Sequence, residues 1–296
     1  MCVERVMRTR MGTNTQGTLL DYTLALQRGE VRHFTPSQFA SLFIGICSAL
    51  QMMHSEYELA HRDIKPGNIL LGGEFTPGVT GHAGGGARGD RASVSNNTDE
   101  EDSDDEENGL YGDSETLRLS AVPTARGSGP SSSSSSGTAG LHGVLIDFGS
   151  CGNSRTMISS RAQALEMQED AERNCTAPYR SPELWDVPSE CVIDEKIDIW
   201  SLGCTMYACL FGKSPFESAI EESGGSLMLA VMSGKAKWWA DADSSRTSGA
   251  SPTMPYPECV YFKAIIEKML SVDSMSRPSA EQVAVMLERV GSVSTT

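Results

Sequence analysis

Two carboxylates, an amide and a lysine stand in two short strings of this chain: His61-Arg62-Asp63-Ile64-Lys65-Pro66-Gly67-Asn68 and Ile146-Asp147-Phe148-Gly149. Asp63 is a base that could accept a hydroxyl proton. Lys65, two residues on, is a point charge suited to a phosphate. Asn68 and Asp147 offer the hard oxygen ligands that Mg²⁺ takes. Phosphoryl transfer asks for this set, because it needs positioning, divalent metal and a nearby base more than covalent help. The spacing of the first string, with the second following it, makes chance an inadequate explanation.

Such residues need a scaffold, and the pattern around them supplies one. Leu19, Leu20, Leu24 and Leu26 fall at roughly helical spacing between Thr18 and Gln27. Thr35-Pro36-Ser37-Gln38 then opens a second helix with an N-cap, a first-turn proline and a reciprocal glutamine. Phe39, Leu42, Phe43, Ile46, Leu50 and Met53 give that helix a wide apolar face, and it runs directly into the His61 string. Ile69-Leu70-Leu71 and Val144-Leu145-Ile146 read as two strands of a hairpin. From Val144 onward the chain is mainly helical: Asp198 to Phe211 is nearly all apolar, as a buried central helix would be. Ser279-Ala280-Glu281-Gln282 is a capping box that opens a last helix through Val283, Val285, Met286 and Leu287.

Between the two hairpin strands, Gly72 to Gly143 has a different composition. It holds Gly84-Gly85-Gly86, eight acids around Ser103 from Asp99 to Glu107, and serine at every position from 131 to 136. Too little apolar area is available there to offset chain entropy, so the segment is expected to be disordered. Closing so long a loop costs only about 2 kcal/mol more than closing a short one. The expected organisation is therefore 1–71, an insert at 72–143, and 144–296. No repeat is visible.

Bulk properties narrow the function. Lysine plus arginine number 24 against 39 acids, a net charge of −15, which disfavours nucleic acid or an anionic membrane surface as the main partner. Eight cysteines are scattered without C-x-x-C pairs, so neither a zinc site nor a disulfide framework is expected, and a reducing intracellular, cytoplasmic setting fits better. The apolar run near Phe39 to Leu50 is too short for a transmembrane segment. The N-terminus lacks signal-peptide character, and Cys2 stands where N-myristoylation needs glycine.

The two strings resemble the catalytic and metal-binding loops of eukaryotic serine/threonine protein kinases. Thr176-Ala177-Pro178-Tyr179-Arg180-Ser181-Pro182-Glu183 resembles the close of the activation segment, with Ser181 in place of the usual alanine. Asp198-Ile199-Trp200-Ser201-Leu202-Gly203 is similar to the central helix, whose aspartate supports the catalytic loop, and Arg277-Pro278 to the late arginine that pairs with Glu183. Within the superfamily, Ser160 to Cys175 and Cys191-Val192-Ile193-Asp194-Glu195 resemble the Numb-associated kinases, above all their myristoylated and palmitoylated member. There Ser160-Arg161-Ala162-Gln163 would cap a helix inside the activation segment. The resemblance implies a mainly α fold: a protein-kinase-like C-terminal lobe with a small β-hairpin, interrupted by the disordered insert. It implies ATP and Mg²⁺ as cofactors and a protein substrate with a Ser/Thr acceptor. Asp63 and Lys65 would be catalytic, and Asn68 and Asp147 would hold the metal and nucleotide. Peripheral endomembrane association is a further implication of the resemblance.

One departure matters. The first lysine of the chain is Lys65, so nothing upstream can be the strand lysine of a kinase N-terminal lobe, and Met7 to Gly17 corresponds roughly to the hinge. The expectation is a chain without that lobe, and therefore one that is inactive alone despite its intact catalytic loop. Gly84 to Gly89 is a formal G-x-G-x-x-G, but it follows the catalytic loop in low-complexity sequence and reads as linker. Ser103 suits an acid-directed kinase and also suits an inert tail, and Asn96-Asn97-Thr98 is a sequon without meaning in the cytosol. Arg62 either recognises a phosphate on Ser154, Thr156, Ser159 or Ser160, or braces the catalytic loop. Trp238-Trp239 reads as core or a surface groove. Three functions stay open: an active serine/threonine kinase, a non-catalytic kinase-like interaction module, and a truncated form of a longer enzyme.

Overall fold

The computed structural model describes residues 15–73, 140–217, 220, 225–238 and 255–293. Strand β1 (Thr15–Thr18) leads straight into α1 (Leu19–Gln27), which begins in a capping box: the Thr18 amide donates to Asp21 at 2.7 Å and the Asp21 amide returns to Thr18 Oγ1 at 3.2 Å. Its buried face is Leu19, Tyr22 and Thr23, while Leu20 and Leu24 of the expected leucine stripe are exposed. Helix α2 (Pro36–Ser55) starts at the anticipated cap, with the Thr35 amide on Gln38 Oε1 and the Gln38 amide on Thr35 Oγ1. All six residues of its expected apolar face are fully buried.

The hairpin exists and is longer than the sequence indicated. Strands β3 (Ile69–Gly72) and β4 (His142–Leu145) pair antiparallel from Ile69 opposite Leu145 to Gly72 opposite His142, and β1 adds to β3 as a third strand. Gly72, His142 and Gly143, expected in the insert, are thus strand residues. Ile146 leaves the ladder, although its amide still bonds to the Asn68 carbonyl. Gly143 has a packing role: a Cβ there would sit 2.9 Å from Ile46 and 3.1 Å from Leu42, so only a bare backbone lets β4 lie on α2. The rest of the insert, 74–139, lies outside the described residues, as do Trp239 and the Met7 to Asn14 part of the expected hinge. Trp238 packs partly buried against the core.

After the Asp147 loop come β5 (Gly152–Asn153), which pairs with β2 (Leu59–Ala60), and β6 (Arg155–Ile158), which pairs with β7 (Cys191–Asp194). Between β6 and β7 lies α3 (Arg161–Asn174), the helix the family resemblance implied. Ser160 Oγ caps it by accepting from the Gln163 amide at 3.3 Å, but the reciprocal arm goes one residue back: Gln163 Oε1 accepts from the Ser159 amide and hydroxyl. Its buried residues are Ala164 and Ala171, seven apart on one stripe, so a mostly charged helix can lie close over the Ile158, Leu184, Val187 and Ile193 cluster. Helix α4 (Lys196–Phe211) is buried from Ile197 to Leu210 and ends at Gly212, whose φ of 86° suits glycine. Helices α5 (Leu227–Ser233), α6 (Cys259–Met269) and α7 (Ala280–Val293) complete the bundle, with α7 packed along α2 and opened by the expected Ser279–Gln282 box. Among the described residues, no helix is long and apolar enough to cross a membrane.

Candidate active site

Asp63 is the most constrained side chain of the site. Its Oδ1 accepts from the Thr176 amide at 2.9 Å and the Thr176 hydroxyl at 2.7 Å. Its Oδ2 meets Lys65 Nζ at 2.7 Å and Asn68 Nδ2 at 3.0 Å. Lys65 Nζ also donates to Thr176 Oγ1 at 2.7 Å, which closes an Asp63–Lys65–Thr176 triangle. Burial works against charge on Asp63. The hydrogen bonds from Lys65 and Thr176, with the Lys65 charge, more than offset it and hold the carboxyl below its usual range. Asp63 is therefore an anion at neutral pH with all its acceptor positions filled. An incoming hydroxyl has to displace one of these donors.

Asn68 spends its amide nitrogen on the Asp63 carbonyl at 2.8 Å and on Asp63 Oδ2, so its carbonyl oxygen is the atom that could serve a cation. Asp147 is exposed, with φ 63° in the left-handed region that non-glycine residues seldom enter, and only a long 3.4 Å contact from the Gly149 amide. An amide oxygen and an exposed carboxylate on adjoining loops fit Mg²⁺, which takes one or two protein oxygens and completes its shell with phosphate and water. Ile146 joins the loops: its amide donates to the Asn68 carbonyl at 3.0 Å, and its carbonyl is 3.2 Å from His61 Nε2. Since a carbonyl only accepts, Nε2 carries the proton, and Nδ1 faces the Asp63 amide at 3.4 Å. The buried His61 ring also packs on Phe148, centroids 5.4 Å apart.

Support comes from α4. Asp198 is fully buried; its Oδ2 accepts from the His61 amide at 2.7 Å and from His54 Nε2 at 2.9 Å, and its Oδ1 from the Arg62 amide at 2.8 Å. Burial opposes its charge, yet the His54 hydrogen bond, the His54 and His61 rings and the His61 amide together hold its carboxyl low. These bonds also restrain Arg62, whose φ is 70°. Farther out, Arg277 makes a two-pronged pair with Glu183, at 2.6 and 2.8 Å, while donating to the Ser271, Lys196 and Val272 carbonyls. His54 escaped sequence reasoning; its place in the last turn before the loop was the only signal. The terminal nitrogens of Arg62 reach Asp170 Oδ2 at 3.4 Å and the Asn153 carbonyl at 3.3 Å.

Residues 142–286 match the protein kinase domain. Serine/threonine-protein kinase 16 of Rattus norvegicus is 28% identical over 254 residues, 86% of this chain and 56% of that protein. A probable serine/threonine-protein kinase of Dictyostelium discoideum is 36% identical over 150 residues, 51% of this chain and 37% of that protein. Serine/threonine-protein kinase ENV7 of Saccharomyces cerevisiae is 37% identical over 145 residues, 49% and 36% of the two chains. The chain thus spans from just over a third to just over half the length of these relatives. Its mainly helical architecture fits a kinase-like fold, and residues 142–286 and these relatives show what the chain is similar to, a protein kinase domain and serine/threonine-protein kinases.

Proposed function

We propose that this chain carries the catalytic-loop side of a serine/threonine protein kinase, the C-terminal lobe of the fold, which together with a nucleotide-clamping lobe transfers the γ-phosphoryl group of ATP to a Ser or Thr hydroxyl of a protein. The Asp63–Lys65–Thr176 triangle carries this reading. Asp63 Oδ2 and Oδ1 are the only charged acceptors in it, so the hydroxyl proton goes to Asp63 as the oxygen attacks. Lys65 Nζ, already beside that carboxylate, turns to the transferring phosphate and spreads its charge. Thr176 holds the carboxylate plane through its amide, which frees its hydroxyl to yield to the substrate's. Asn68 and Asp147 would hold Mg²⁺, which supplies charge neutralisation on the phosphates when bound. Aliphatic rather than phenolic acceptors suit Lys65 and Thr176, and a partner other than nucleic acid suits the −15 charge.

The chain alone, with no lysine before Lys65 to pair the phosphates, is expected to turn over little; joined to a kinase N-terminal lobe and given ATP, Mg²⁺ and a generic protein substrate, it is expected to yield phosphoserine and phosphothreonine. Asp63→Asn and Asp147→Ala are expected to abolish transfer without unfolding the chain. Product dominated by phosphotyrosine, or activity surviving Asp63→Asn, would overturn the assignment.

A further inference from the structure

The end of α6, the connection that follows it and the outer face of α7 form a surface groove of about 830 Å³. Its apolar lining is Met275, Pro278, Val285 and Met286. Met275 is 81% exposed and Val285 41%, so two large apolar side chains of one groove stand in water. A single exposed apolar residue is ordinary, but several that share one concave strip mark a contact surface. The strip is held in shape. The Met275 amide donates to Asp273 Oδ1 at 3.1 Å and the Ser276 hydroxyl to Oδ2 at 2.6 Å, which fixes the turn that presents Met275. Val285 and Met286 sit on α7, whose start is closed by the Ser279–Gln282 box.

The charges of the groove are uneven. Lys268, in the last turn of α6, and Arg289, one turn beyond Val285, are exposed cations, and Glu281 is the acid among the lining residues. Lys268 has no ion-pair partner among the described residues. Arg277 also lines the groove, but it is spent on Glu183 and three backbone carbonyls, and both carboxylate oxygens of nearby Asp273 are spent within its turn. On a chain of net charge −15 this is a local excess of positive charge.

We propose that this groove docks an amphipathic helix of a partner protein, with apolar residues at i, i+3, i+4 and i+7 and carboxylates along the edge of that stripe. Such a helix lays its apolar side on Met275, Val285 and Met286 and turns its carboxylates to Lys268 and Arg289. Methionine suits the task, since its unbranched, polarizable thioether adapts to differing side chains. Charge separates this occupant from two others. A second copy seated on the same face through a two-fold axis would bring like sets of Lys268 and Arg289 together. An anionic membrane would face the −15 charge of the whole chain.

The test needs no ATP, so its outcome is independent of whether the chain transfers phosphate. A pool of synthetic helical peptides, with leucine fixed at i, i+3, i+4 and i+7 and Glu, Ser or Lys at the flanking positions, is selected on the full chain and counter-selected on Met275→Asp. Enrichment of glutamate is expected, and an enriched, labelled peptide should bind saturably in fluorescence anisotropy, more weakly as salt is raised. Lys268→Glu and Met275→Asp, both at exposed positions, are each expected to weaken it by roughly 10-fold with unchanged far-UV circular dichroism. Enrichment of lysine or serine, no enrichment, or undiminished binding by both variants would overturn the proposal. So would self-association in sedimentation, or uptake on phosphatidylserine vesicles, that Met275→Asp abolishes.

Discussion

Removing the Asp198 carboxylate tests the idea that α4 positions the catalytic loop. Asp198→Ala strips three hydrogen bonds at a site with no solvent access, and two of the orphaned donors are the backbone amides of His61 and Arg62. Each buried donor left unpaired costs about 1–3 kcal/mol, so the expected loss is about 2–6 kcal/mol. That is a large share of the stability of an ordinary domain, about 5–15 kcal/mol. Asp198→Asn is the more informative change. Its oxygen can serve two of the three donors, but its NH₂ then faces the third, donor against donor. One lost bond predicts about 1–3 kcal/mol. The catalytic effect should exceed the structural one, because the released amide belongs to Arg62, held at φ 70° and adjacent to Asp63. Relaxation there moves Asp63, the proposed base, and a shift of about 1 Å costs on the order of 10²-fold. Urea titration at constant m gives the stability, and steady-state turnover gives the rate. An Asp198→Asn protein with wild-type midpoint and wild-type turnover would refute the reasoning.

Arg277→Ala should destabilise by about 3–5 kcal/mol in chemical denaturation, since it leaves Glu183 mostly buried without its partner; Arg277→Lys should recover little, because one ammonium cannot serve both carboxylate oxygens and three carbonyls. Gly143→Ala should cost about 1–3 kcal/mol by driving a methyl into Ile46, and an unchanged melting temperature would contradict the packing of β4 on α2. Asp63 and Asp198 both have folded-state carboxyls below their unfolded range, so the stability they contribute is full above the unfolded value of about 3.9 and is lost as pH falls through the folded ones. The denaturation midpoint should therefore drop on acidification below about pH 4, more steeply in wild type than in Asp198→Asn, and equal slopes would count against the assignment.

What the sequence made legible was what local chemistry dictates. Thr35 and Gln38 read as a cap because each has the group the other's amide needs, and Ser279 with Gln282 likewise. The six apolar residues of α2 repeat at helical spacing, and one partner surface is enough to bury them all. The failures are tertiary. Leu20 and Leu24 have the right period but no neighbour to cover them, while Thr23 is buried by packing no pattern shows. Gly143 looked like linker because glycine in a Gly-rich stretch carries no signal of the Ile46 side chain waiting above it. At the site, Asp63, Lys65 and Asn68 were readable because they share one loop. Ile146, His54, Gly152 and Asp170 act across 85 to 144 residues of chain or through space a missing Cβ leaves open, and single-sequence spacing has no access to either.

Those distant contacts explain how a strained site persists. Arg62 and Asp147 both occupy left-handed backbone, at φ 70° and 63°, and each such residue costs on the order of 1–3 kcal/mol unless its surroundings hold it. Arg62 is held at three points: its amide by Asp198, its guanidinium by Asp170, and its path by the absent side chain of Gly152. Asp147 is held at one remove, through Ile146, which is bonded to Asn68 on one side and His61 on the other. The restraint is unequal, and the inequality suits the chemistry. Asp63, as the proposed base, would have to keep one geometry whatever approaches it, and the residue before it is pinned from three elements. Asp147, the proposed metal ligand, would have to accept a group arriving with the nucleotide, and its carboxylate stands exposed with a single long contact of its own, free to turn while its backbone stays in register with Asn68.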